Sequence, residues 1–560
     1  MPFIKTTAQW KKGIRNLLVL LVGLSFLPLR AQVTDTLFIL QTTDVHGNIM
    51  PYNYFKDAPA DYGLAKIYNR VIEYRKRHKN VLLLDSGDLL QGTPLVSYFN
   101  TMETNLPNPL ILTLNYMGYE AFTVGNHDIE QGLFVYNRAR RESDFPWLSA
   151  NSLLEDGRTY FKPYTIINKN GLRIGIIGLT TPGIPMWLDK SLYPGITWAD
   201  MVKTAQKYVP LLRPQVDVLV GLFHAGFEAG YSAAQTEKAG LPNENASLLV
   251  AENIPGFDVV LAGHSHRPRP KNAKEQIKDQ QKPLLINAGS WGRNLGVAQI
   301  ILRKDADGGK WRVVEKSGWL EPSKNVQPST AILELNAYYH KKTLQYIRQP
   351  IAKLNGTMST EKARFEDTAV MELINDAQMQ AAGADISFAA CFNDRVRFKQ
   401  GTLRVKDVYA IYPYENYLYL VEMTGKQIRD FLIYSARYFI LDHGKVVRNP
   451  AVNGYNYDMA EGIGYTIKVE ATTEHPQIPN KIIDLIYLKT GKPLDLNKTY
   501  KVAMNSYRAS GGGGHMAFAG AQEAPVLWKS NADMRTILID YLKNKQVIEP
   551  KSDGNWRLEY

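Results

Sequence analysis

The stretch Leu37-Phe38-Ile39-Leu40-Gln41-Thr42-Thr43-Asp44-Val45-His46-Gly47-Asn48 runs an apolar segment straight into a short polar cluster. The same phrase returns along the first half of the chain. Apolar runs fall at residues 37–41, 81–84, 121–124, 174–179, 216–223, 259–262 and 284–286. Runs of this length without polar alternation suit strands buried on both faces. Helix-like stretches between them, such as 62–77, make the class α/β. Functional groups in such folds collect at the carboxyl ends of strands, and the polar clusters fall there.

Five clusters carry chemistry: Thr43-Asp44-Val45-His46-Gly47-Asn48, Asp85-Ser86-Gly87-Asp88, Gly125-Asn126-His127-Asp128, His224-Ala225-Gly226 and Gly263-His264-Ser265-His266. They hold five of the chain's 10 histidines. Asp44 and His46 stand two residues apart at a strand end, where period-two geometry aims both at one ion. Asp88 follows a glycine turn and has two oxygens, enough to bridge two ions. Asn126 offers a neutral oxygen, His224 and His264 offer imidazoles, and His266 repeats the two-residue spacing. Mixed nitrogen and oxygen donors suit Zn, Mn, Fe or Co and fit Ca or Mg less well. A lone Asp-x-His is most often structural; five clusters, each after a strand-like run, are not explained that way.

The order D-x-H, G-D, G-N-H-D, lone His, G-H-x-H resembles the calcineurin-like metallophosphoesterases over roughly residues 35–310. The resemblance implies a four-layer β-sandwich flanked by helices and two divalent metal ions. One ion would be held by Asp44, Asp88 and His266 with His46 as a further ligand. The other would be held by Asp88, Asn126, His224 and His264. His127 would contact the phosphate and assist the leaving oxygen, with Asp128 orienting it through its second ring nitrogen. Two cations neutralise phosphate oxygens and acidify water for in-line attack on phosphorus.

The style of the sequence changes near residue 325. Residues 330–346 read as one linker helix closed by Pro350, giving a phosphoesterase domain at 34–325, a helical linker at 326–350 and a second α/β domain at 351–550. The second domain concentrates aromatics beside turn residues: Tyr412-Pro413-Tyr414-Glu415-Asn416, Asn505-Ser506-Tyr507-Arg508-Ala509 followed by Gly511 to Gly514, Cys391-Phe392-Asn393, and Tyr455-Asn456-Tyr457-Asp458. Two tyrosines on separate loops can sandwich a base, and Asn393 or Asp458 can meet a base or sugar edge. The glycine run permits close backbone approach, and His515 beside it reads as a surface residue. Across its length the chain resembles the exported 5′-nucleotidase group. Tyr-x-Tyr-Glu-Asn and Asn-x-Tyr-Arg-Ala are similar to bacterial 2′,3′-cyclic-nucleotide 2′-phosphodiesterase/3′-nucleotidases. On that likeness Tyr414 and Tyr507 form the stacking pair, and Asn393, Arg508 and Asp458 complete a nucleotide pocket.

Residues 1–31 read as an export signal: Lys5, Lys11, Lys12 and Arg15, then an apolar run, then small residues near Ala31. Loss of those four cations and Arg30 takes the net charge from +12 to +7. The remaining basic residues are scattered, which argues against a nucleic-acid polymer as partner. One cysteine excludes an intramolecular disulfide. The expectation is a periplasmic or secreted monomer, not inserted in a membrane once the signal is removed, acting on nucleotides. A 5′-nucleotidase or UDP-sugar hydrolase is the alternative, and a non-catalytic nucleotide-binding surface protein a remoter one.

Overall fold

The computed structural model describes residues 33–231, 233–271, 274–304 and 309–560; the expected export segment lies outside them. Twelve strands build the sandwich of the first domain: β1 (Thr34–Thr42), β2 (Val81–Asp85), β3 (Ala121–Thr123), β4 (Trp147–Leu148), β5 (Tyr164–Lys169), β6 (Leu172–Thr180), β7 (Val218–His224), β8 (Val259–Ala262), β9 (Glu275–Ile277), β10 (Leu284–Ile286), β11 (Asn294–Lys304) and β12 (Trp311–Pro322). One sheet has the order β9-β12-β11-β1-β2-β3-β4 and the other β10-β8-β7-β6-β5. Strands β1, β2, β3 and β4 run parallel, as do β6, β7, β8 and β10.

The unbroken apolar runs have a direct cause. Successive side chains of a strand point to opposite faces. Leu37 and Ile39, Leu82 and Leu84, and Val218, Val220 and Leu222 therefore enter the core between the sheets. Their neighbours Phe38, Leu40, Val81 and Leu83 face outward under helices of the first sheet, while Leu219 and Phe223 face helices of the second. Helix Leu64–Arg77 covers the first sheet with Leu64, Ala65, Ile67 and Val71, and Met201–Leu212 and Ser247–Asn253 cover the second. The layers are helix, sheet, sheet, helix. Each buried leucine or valine contributes roughly 1.5–3 kcal/mol of burial free energy, so these strands are fixed in register and their ends are rigid.

The linker is not one helix. It breaks at Asn336 into Thr330–Leu335 and Ala337–Ile347, because the fully buried Asn336 side chain donates to Thr113 Oγ1 (2.9 Å). The second piece is bound to the first domain: the Tyr54 hydroxyl meets His340 Nδ1 at 2.8 Å, and Tyr346 packs on Tyr98. Pro350 opens a strand, Pro350–Leu354. The second domain centres on a mixed five-stranded sheet in the order Asp458–Glu461, Ile386–Ala390, Thr499–Asn505, Tyr417–Thr424, Val526–Asp533. Among the described residues no helix is long and apolar enough to cross a membrane.

Candidate metal centre and substrate slot

All five clusters converge at the carboxyl ends of β1, β2, β3, β7 and β8. Asp44 and the Asp88–His224 pair are buried to within 1% of completely. His266 Nε2 lies 3.2 Å from Asp44 Oδ1 and 3.1 Å from His46 Nε2. Asp88 Oδ2 lies 3.9 Å from His46 Nε2 and 3.2 Å from His224 Nε2, which is 3.1 Å from Asn126 Oδ1. The donors form two groups, Asp44–His46–Asp88–His266 and Asp88–His224–His264, sharing Asp88. Donors around one ion at about 2.0–2.2 Å must sit roughly 3 Å apart, the spacing seen here, so the residues fit a pair of divalent ions.

The backbone is shaped for this purpose. Asp44, His46, Asp88, His264 and His266 all lie at positive φ, between 48° and 68°, which folds each loop back over its strand end. Gly125 is required: a Cβ there would clash with Asp88 N, at 2.6 Å, and overlap its carboxylate. The carboxylate of Asp128 accepts N–H groups from Asp88 (3.0 Å), Leu89 (2.8 Å), Leu90 (3.0 Å) and Gly125 (2.8 Å), locking the shared ligand in place. His224 Nδ1 meets the Ser86 carbonyl at 2.7 Å, which fixes its tautomer and leaves Nε2 as the donor to an ion.

Electrostatics prepare the donors. Burial would raise the Asp88 carboxyl, but the imidazoles of His224, His127 and His46 outweigh it and hold it well below the usual range. Burial pushes His46 down to about 4 and His264 down to about 3, toward the neutral form that coordinates. For His224 burial is outweighed by Asp88, which pushes it up to about 9. That proton answers the carboxylates only while no ion is bound, and must leave Nε2 before the ring can coordinate.

The expected orientation of His127 by Asp128 is corrected by the structure. Asp128 is spent on four backbone donors, and Glu130 Oε2 meets His127 Nδ1 at 2.5 Å. Sequence reasoning missed Glu130, although residues three apart on a helical turn share a face. Burial disfavours the charged His127, but Glu130 and Asp88 outweigh it and push its pKa up to about 10.

The second domain brings Tyr414 within electrostatic reach of Glu130. Its ring is 37% exposed and is held edge-on by Phe392 at 5.0 Å. Tyr507 feels the phenols of Tyr414 and Tyr231 and the carboxylate of Glu244, the last two from the first domain. Arg508 and Asp458 lie under the slot, not in it. Both are at most 2% exposed and paired with each other at 2.5 Å and 3.1 Å, and the guanidinium sits 5.4 Å from the Tyr507 ring centre. They support Tyr507 and have no free atoms for a base edge. The Asn393 amide is likewise engaged, donating to the Ala410 carbonyl at 2.9 Å. The glycine run closes on its own chain: a Cβ on Gly512 would come 2.5 Å from the Tyr507 carbonyl oxygen. His515, read from sequence as a surface residue, is fully buried between Phe431 and Tyr434.

A helix-sheet-sheet-helix sandwich carrying this donor set at its strand ends defines a metal-dependent phosphoesterase. Residues 38–268 match the calcineurin-like phosphoesterases and residues 350–520 the 5′-nucleotidase C-terminal domain; the chain is a two-domain hydrolase of the 5′-nucleotidase family. It is 30% identical over 93% of its length to the trifunctional nucleotide phosphoesterase protein YfkN of Bacillus subtilis, and spans 39% of that longer protein. It is 29% identical to the 2′,3′-cyclic-nucleotide 2′-phosphodiesterase/3′-nucleotidase of Salmonella typhimurium, over 94% of this chain and 89% of that one. A Staphylococcus aureus chain assigned to the 5′-nucleotidases shares the fold with a TM-score of 0.80 at 24% identity, covering 94% of this chain and 100% of that one.

Proposed function

We propose that the chain opens 2′,3′-cyclic nucleotides and then removes the 3′-phosphate, outside the cytoplasm. The observation that carries this reading is that Tyr414 of the second domain lies within electrostatic reach of both Tyr507 and Glu130, the residue that holds His127 by Nδ1. The likeness to the Salmonella enzyme favours the cyclic and 3′-esters over 5′-esters. The basic, apolar and small-residue segment at 1–31 supports export.

Asp44, His46, Asp88 and His266 would hold one divalent ion, and Asp88, Asn126, His224 and His264 the other. When bound, such a pair neutralises phosphate oxygens and lowers the pKa of the attacking water. The protein does the rest. Tyr414 and Tyr507 stack on the base, worth roughly 1–3 kcal/mol per base. Glu130 holds the imidazole of His127 by Nδ1 and keeps it protonated, leaving Nε2 to face the ester. As water oxygen bonds to phosphorus, the ribose–oxygen bond to phosphorus breaks. The departing 2′-oxygen, or the 3′-oxygen in the second reaction, takes its proton from His127 Nε2.

The test is turnover of metal-loaded protein with 2′,3′-cyclic AMP, 3′-AMP, 5′-AMP and a UDP-sugar. Turnover of the first two is expected; activity confined to 5′-AMP or the UDP-sugar would overturn the reading.

A further inference from the structure

Resting on that reading, we propose that Glu415 is a cross-domain positioning residue, which through Gln131 fixes the helical turn that carries His127 and Glu130. Gln131 directly follows Glu130, the C-cap of that turn, Asn126–Ile129, and opens the next helix, Gly132–Glu142; its side chain is bonded on both sides. Its Oε1 accepts from Asn100 Nδ2 at 3.1 Å, and its Nε2 donates to Glu415 Oε2 at 2.6 Å. Asn100 also donates to the Leu90 carbonyl at 2.7 Å, and the Leu90 N–H is one of the four held by Asp128. The contact from the second domain therefore reaches the loop that aims Asp88.

On its own side Glu415 is firmly seated. It is 8% exposed and pairs with Arg535, itself 1% exposed, at 2.6 Å. Arg535 also pairs with Asp533 at 3.1 Å and donates to Ser97 Oγ of the first domain at 3.3 Å. The Asn416 carbonyl accepts the Met534 N–H at 2.8 Å, tying the loop to the next helix. A buried carboxylate this well paired is a fixed point, and Gln131 is aligned by it. The residue before it is Tyr414. One dipeptide thus presents an aromatic face to the base and a carboxylate to the catalytic turn. Only when the domains meet as they do here are both engaged, so seating the nucleotide and aligning His127 become one event.

The geometry sets a kinetic signature. Misplacing a catalytic turn by about 1 Å costs on the order of 100-fold in rate, and this loss does not depend on the base. Gln131→Met removes the link and leaves the Glu415–Arg535 pair intact. It should lower kcat about 10- to 100-fold on both 2′,3′-cyclic AMP and p-nitrophenyl phosphate, with KM for the nucleotide and Tm near wild type. Gln131→Glu, which sets two carboxylates face to face, should lose more. The double variant Gln131→Glu/Glu415→Gln re-forms a donor–acceptor pair in the opposite sense and should recover most of the loss. An unchanged kcat in Gln131→Met, a deficit confined to nucleotide KM, or a double variant no better than Gln131→Glu would each overturn the proposal. Wild-type inactivity on cyclic nucleotides would sink the functional reading instead, and p-nitrophenyl phosphate would still report the coupling.

Discussion

The candidate metal cradle and the proposed nucleotide slot are held by different physics. The cradle is built from charged and imidazole donors at strand ends that two packed sheets hold rigid, with Asp44, Asp88 and His224 no more than 1% exposed. The slot is built from loops, and its leading ring, Tyr414, is 37% exposed. An ion tolerates donors only within a few tenths of an ångström, while a base needs a flat surface. Rigidity is concentrated where the ligand is least forgiving.

That contrast can be attacked at its strongest point first. Asp88→Ala removes the one donor common to both groups. Turnover should fall by at least about 1,000-fold, the upper range for losing a single preorganised charge-stabilising group, and bound metal per chain should drop for both ions. Retention of two ions by elemental analysis would break the shared-ligand picture. Next come the two acidic residues flanking His127. Glu130→Gln should cost about 100-fold in kcat, within the range for general acid catalysis, with metal content unchanged. Asp128→Asn should instead lower metal affinity and Tm, because its carboxylate serves four backbone donors. Equal behaviour of the two variants would erase the distinction drawn between them.

On the slot side, Tyr414→Ala or Tyr507→Ala should lose roughly 1–3 kcal/mol of base stacking, read as kcat/KM for 3′-AMP. Turnover of p-nitrophenyl phosphate should not change. The smallest effect is on pH dependence. In metal-depleted protein His127 is raised from its ordinary 6.5 to about 10 by Glu130 and Asp88. A raised folded pKa stabilises fully below pH 6.5, and the contribution is lost as pH climbs toward 10. Tm of chelator-treated protein should therefore fall across that window, and Glu130→Gln should flatten the fall.

The same contrast governs what could be read from residues alone. Asp44, His46, Asp88, Asn126, His224, His264 and His266 stood out because each follows a strand and coordination restricts residue type and spacing. Glu130 gives no such signal, because Asp128 stands next to His127 in the chain, yet its hydrogen bonds reach backbone groups up to 40 positions earlier. Tyr414 and Tyr507 were visible only as aromatics on turns. Arg508 and Asp458 were expected in the pocket because polar side chains next to aromatics look available. Their pairing with each other is a tertiary fact with no local signal. The break in the linker at Asn336 is of the same kind, since its partner, Thr113, is 223 residues away.

The left-handed backbone at five of the ligand positions has a further meaning. Each such non-glycine residue carries a conformational cost of about 1–3 kcal/mol, set against a net stability of only about 5–15 kcal/mol for an ordinary domain. Glycine at His46 or His264 would relax the chain and abolish its chemistry. Thermal robustness and activity therefore pull in opposite directions along these few loops, and variants selected for heat resistance alone should drift toward losing the ions first.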